Sequence, residues 1–182
     1  MRKALAVLIM ISVCSIYFIA MKNKGVEQVS TEETTFLKAN VEMDKRIQEI
    51  TKEIEKEYPK TPKLLIETAN EIMKLQYSKE WEPESKIESQ TLLALRLLYS
   101  EELLALNSYE KQLEALEMEL SQNHKKDLYL KEARIDSIKF ETADHALVSV
   151  LNETNKGMQQ REYTLIKEEG LWKIYSWIDL NQ

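Results

Sequence analysis

The chain has 182 residues and a formal net charge of −6, with 31 acidic residues against 25 basic ones. That balance argues against nucleic acid as a partner, because phosphates demand a basic face. One cysteine, two histidines and three glycines leave no disulfide, no Cys-based zinc or redox centre, no paired-histidine metal motif and no glycine-rich phosphate loop, so no metal and no cofactor is expected.

Residues 4–21 read ALAVLIMISVCSIYFIAM, without a charge, proline or glycine. Eighteen residues of helix reach about 27 Å, close to the hydrocarbon thickness of a bilayer. With Arg2 and Lys3 ahead of it, residues 1–24 read as a single-pass signal anchor. Cleavage is the competing fate, but Ala20 at −1 would set Phe18 at −3, where a small residue is wanted. Acylation at Cys14 is the third, and Val13 and the surrounding apolar run oppose it. Flanking charges nearly balance, with Lys22 and Lys24 against Arg2, Lys3 and the amino terminus. A short anchor followed by a long tail favours export of the tail, so the rest of the chain is expected outside the cytoplasm, tethered to the cell membrane.

Residues 25–60 read as a linker and a helical stalk. Phe36, Asn40, Met43, Ile47, Ile50 and Ile54 alternate by four and three, which lines one stripe. The stripe suits either a helix packed on the following domain, the favoured reading, or a short coiled-coil seam with Asn40 fixing its register. The seam would make a homodimer.

Residues 61–182 read as one α+β domain. Thr61 is placed to cap a helix that starts at Pro62 and runs to about Tyr77, burying Leu65, Ala69, Ile72 and Leu75. A connection through Trp81 and Pro83 leads to a helix over about Ser85–Tyr99. Ser100 and Ser108 cap two more, the second running to about Gln122. His124, Lys125 and Lys126 complement its C-terminus.

From Leu128 the pattern becomes period two. Four strands are expected: Leu130–Phe140, one around Ala146–Leu151, Gln159–Lys167 and Leu171–Leu180. Short connections at Asn155-Lys156-Gly157 and Glu168-Glu169-Gly170 make them an antiparallel meander. Strict alternation puts Trp172, Ile174 and Ile178 on one face of the last strand, against the helices that carry Leu65, Ile72, Leu92 and Leu95. It puts Tyr175 and Trp177 on the other.

Helices followed by a meander that closes in the run from Tyr163 to Trp177, YTLIKEEGLWKIYSW, resemble the nuclear-transport-factor-two-like (cystatin-like) superfamily. The anchor, Tyr58-Pro59-Lys60-Thr61-Pro62 and Glu101-Glu102-Leu103-Leu104-Ala105 resemble a family of uncharacterised membrane-anchored proteins of gut Firmicutes. The first resemblance implies a cone between sheet and helices, in which enzymes of the superfamily use buried acids and bases. The second implies no activity.

Asp136 and His145 are the weak catalytic candidates for a dehydratase- or isomerase-type enzyme. Asp144 and His145 are neighbours, and neighbours on a strand point to opposite faces, so they make a poor dyad. Tyr163, Trp172, Tyr175 and Trp177 are the candidates to line a ligand pocket, though aromatics at such spacing also serve as plain core. The favoured function is a non-catalytic module that binds an apolar small ligand or a protein partner.

Overall fold

In a computed structural model, the described residues are 31–81 and 86–180. The expected anchor at 4–21 and the connection at Pro83 lie outside them. The chain divides into two units, Met1–Lys38 and Ala39–Gln182, and only the second is described further. Among the described residues no helix is long and apolar enough to cross a membrane.

The helices are α1 (Thr31–Lys56), α2 (Pro62–Gln76), α3 (Ile87–Arg96), α4 (Glu101–Leu106) and α5 (Tyr109–Lys125). Three start where a hydroxyl can satisfy an orphan amide. Thr61 accepts from Leu64 N at 3.2 Å, Ser100 from Leu103 N at 3.2 Å and Ser108 from Lys111 N at 3.4 Å. Pro62 sits at the first helical position, where its missing N–H costs nothing.

Four strands follow, β1 (Leu130–Phe140), β2 (His145–Thr154), β3 (Gly157–Glu168) and β4 (Leu171–Asp179), antiparallel and in sequential order. The α+β class and the meander are as expected. The β3–β4 hairpin turns on Glu169 and Gly170, both at positive φ (51° and 83°), as a two-residue hairpin loop requires.

One face of the sheet carries Ile135, Ala146, Val148, Val150, Leu165, Trp172 and Ile174, packed with Leu65, Ile72 and Leu95 from α2 and α3. Leu92 belongs instead to a second cluster with Met43, Trp81, Ile87, Leu116 and Leu120. The α1 stripe is spent here too. Ile47, Ile50 and Ile54 are buried in the first cluster and Met43 in the second, and the part of the 25–60 stretch from Ala39 onward falls in the same compact unit as the rest of the domain. A seam for a second chain would need those same side chains.

β4 departs from strict alternation. Leu165 pairs with Ile174 but Thr164 with Ser176, which leaves Tyr175 as a bulge. Beyond it the parity is reversed. Trp177 comes round opposite Tyr163, on the same face as Trp172 and Ile174. Ile178 pairs with Glu162 and is exposed. The expected grouping of Trp172 with Ile178, and of Tyr175 with Trp177, is therefore corrected.

The bulge lies where the chain before α4 meets the sheet edge. Ser100 N donates to Ile174 O and Ile174 N to Leu98 O, both at 2.9 Å. This short pairing covers the edge of β4 and holds Tyr99 over the same face.

Candidate functional site

α5 packs chiefly on α3, and a cleft of about 310 Å³ remains between α5, α2, α3 and the sheet. Leu92, Leu95 and Leu116 make one apolar wall, and Tyr99, Ile174 and Trp177 another. Trp177 lies 5.8 Å from the Tyr99 ring and 6.5 Å from Tyr163, centroid to centroid. Lys111, Gln112, Ala115 and Glu119 of α5 form the rim. A smaller chamber of about 210 Å³ adjoins it, lined by Asn123, Tyr129, Asn152, Thr154, Gln159 and Asp179. Met73, Tyr77, Glu119 and Arg161 line both.

Arg161 is the centre of the polar chemistry. It stands two residues before Tyr163 on β3, so period two points both to the helix-covered face. Its Nε donates to Asp179 Oδ1 at 2.6 Å and its Nη2 to Asp179 Oδ2 at 3.0 Å, a bidentate pair. Burial works most strongly against the guanidinium charge, but the Asp179 hydrogen bonds together with the electrostatic pull of Tyr163, Asp179 and Tyr77 outweigh it and raise the pKa. The third nitrogen, Nη1, is left 3.9 Å from Met73 Sδ. Tyr163 Oη also donates to Met73 Sδ, at 3.0 Å. Burial pushes the Tyr163 hydroxyl above its ordinary pKa. Burial does the same for Tyr99 and Tyr77, the latter aided by the Glu119 carboxylate. All three stay neutral donors at physiological pH.

Two amides complete the site. Gln76 is 3 % exposed and Asn152 5 %. Neither Gln76 Oε1 nor Asn152 Oδ1 has a hydrogen-bond partner. A buried unsatisfied carbonyl costs about 1–3 kcal/mol.

The structure brings two of the four aromatic candidates together, Tyr163 and Trp177. Trp172 is core, set edge-on to Phe140 at 5.9 Å, and its carbonyl accepts from Tyr58 Oη at 2.9 Å. Tyr175, on the bulge, donates its hydroxyl to Glu102 Oε1 at 3.0 Å. Asp136 is the extra residue where β1 shifts register between Ile135 and Ser137, and it is exposed. His145 opens β2, also exposed, with Nδ1 3.3 Å from Thr142 Oγ1. Neither lines the cleft. Asp144 sits in the β1–β2 turn, its N–H donating to Thr142 Oγ1.

Arg161, Gln76, Asn152 and Tyr99 are the site residues that sequence reasoning did not pick out. A signal existed for two of them. Gln76 follows Leu65, Ala69, Ile72 and Met73 on the buried stripe of α2, and Arg161 shares parity with Tyr163 and Leu165.

The chain belongs to the family described as a domain of unknown function (DUF6715), whose model matches residues 1–177. No curated protein matches it. Among solved structures, the chain is similar to the crystal structure of the intermembrane space region of the chloroplast protein ARC6. That match has 14 % identity and a TM-score of 0.38, covering 68 % of this chain and 97 % of that one.

Proposed function

We propose that this member of the DUF6715 family is a non-catalytic binding module. In this reading residues 4–21 anchor it in the cell membrane, the folded unit lies outside the cytoplasm, and the cleft is its ligand site. The observation that carries it is a cleft of about 310 Å³ whose walls are mostly apolar, with Tyr163 and Trp177 inside it. Small-molecule sites have this size and make-up, a largely apolar surface with a few convergent polar groups. A nuclear-transport-factor-two-like cone is the matching fold reading, supported by helices laid on one face of a four-stranded meander. Export is supported by the apolar run at 4–21 with a long tail after it.

The test is titration of the full chain with the neutral apolar dye Nile red, alongside Ala115→Trp. Ala115 is an exposed rim residue, so added bulk there blocks the mouth without disturbing the core. One-site saturation in the parent that disappears in the variant is expected. Dye uptake that is equal in both proteins overturns the reading.

An enzyme of the dehydratase or isomerase type is the second reading, favoured by the inward polar groups Gln76, Arg161 and Tyr163. Its sequence candidates Asp136 and His145 stand outside the cleft, which leaves Glu119 as the one carboxylate among the residues lining the larger chamber. A coiled-coil structural role would require the α1 stripe that the core already uses.

A further inference from the structure

The hydrogen-bonding groups around the cleft are mismatched in a way that describes the missing partner. Gln76 lines the larger chamber and Asn152 the smaller, and each has a buried carbonyl oxygen without a donor. Arg161 Nη1 and the Tyr163 hydroxyl are strong donors, and both are directed at Met73 Sδ. A thioether is a weak acceptor, so both donors can still take an oxygen there, even with Arg161 in hydrogen-bond reach of the Tyr163 hydroxyl. The charges, in contrast, are already balanced. Asp179 takes up the Arg161 charge through two hydrogen bonds, and the rim carries one ammonium, Lys111, and one carboxylate, Glu119.

We infer that the cleft takes an uncharged amphiphile whose apolar chain fills the larger chamber and whose amide or hydroxyl head sits at Arg161, where the two chambers meet. The head's oxygen accepts from Arg161 Nη1 and Tyr163 Oη, and its N–H or O–H donates to Gln76 Oε1. A carboxylate could satisfy the donors but would leave Gln76 Oε1 orphaned and would face Glu119 and Asp179. An ammonium could satisfy the amides but would face Arg161. Only a group that both gives and accepts, without net charge, serves Arg161, Tyr163 and Gln76 together. The inference rests on the cleft being a ligand site, and it specifies that ligand's head.

The experiment compares hexanamide, hexanoate and hexylammonium on the full chain, with binding followed by NMR at the Trp177 indole N–H in every protein and at the Gln76 side-chain amide in the parent. Gln76→Met, which keeps the volume and removes the acceptor, serves as the second protein. Any partition of probe into the apolar segment at 4–21 is common to both proteins and cancels. The expected result is a saturable shift of the Gln76 amide, with hexanamide binding at least tenfold tighter than either charged probe. In Gln76→Met the preference for hexanamide falls at least tenfold. Tighter binding of hexanoate or hexylammonium overturns the inference. Equal binding of all three, unchanged in Gln76→Met, also overturns it while leaving an apolar binding site standing. Absence of binding by any probe together with equal Nile red uptake in Ala115→Trp removes the site itself.

Discussion

Trp172 and Trp177 stand five residues apart on one strand and face the same side of one sheet, yet they live in different environments. Trp172 is 5 % exposed and closes the dry end, against Phe140 and beneath the Lys167 ammonium at 5.2 Å. Trp177 is 37 % exposed and forms a wall of the cleft beside Tyr99 and Tyr163. Apolar side chains fill the dry end and each finds its contacts within the chain. At the other end α5 leaves a gap, two amide oxygens lack a donor, and Arg161 Nη1 and the Tyr163 hydroxyl are turned to a thioether. A domain of this size needs one well-packed region to stay folded, and a second region can then remain incomplete for a ligand.

The largest expected effect falls at the packed end. Trp172→Ala removes a buried indole and should cost about 3–5 kcal/mol, a large share of the roughly 5–15 kcal/mol that small domains hold. A thermal melt within a degree or two of the parent would mean that the dry end is not the stabilising one.

Gly170→Val comes next. No atom lies within 4 Å of where its Cβ would sit, so the expected cost, about 1–3 kcal/mol, is backbone strain alone. Gly170→Asn should recover most of it, because asparagine tolerates positive φ. Equal damage from both variants would show that the cost is not conformational.

Trp177→Ala should cost about 1 kcal/mol or less, as befits a partly exposed side chain, while weakening Nile red binding at least tenfold. Denaturant unfolding and dye titration on the same protein separate the two effects. A large loss of stability with unchanged binding would reverse the roles assigned to the two tryptophans.

The smallest effect is expected at His145. It is exposed and outside the cleft, so His145→Ala should stay within about 0.5 kcal/mol of the parent and leave dye binding unchanged. Collapse of either would bring the enzyme reading forward.

What the chain settles locally could be read from it directly. Thr61, Ser100 and Ser108 start helices because a hydroxyl there satisfies an amide three residues on. β1 runs from Leu130 to Phe140 as read, and Gly157 and Gly170 fall at turns with φ of 142° and 83°. Each depends on neighbours within a few residues, so pattern alone reaches it. The α1 stripe was legible as apolar, but what it packs against was not, since a seam and a core contact ask for the same spacing. The bulge at Tyr175 was out of reach for a further reason. It follows from cross-strand register and from Leu98 and Ser100 pairing with Ile174, some 75 positions apart in the chain, and no period within β4 encodes it. That one extra residue turns Trp177 inward. The sequence by itself determined the elements, their order and the α+β class, because caps, turns and periods are short-range. The tertiary structure alone decided which tryptophan is core and which is wall, and that Gln76, Asn152 and Arg161 meet around one cleft, because side chains from α2, β2 and β3 converge only after the helices have packed on the sheet.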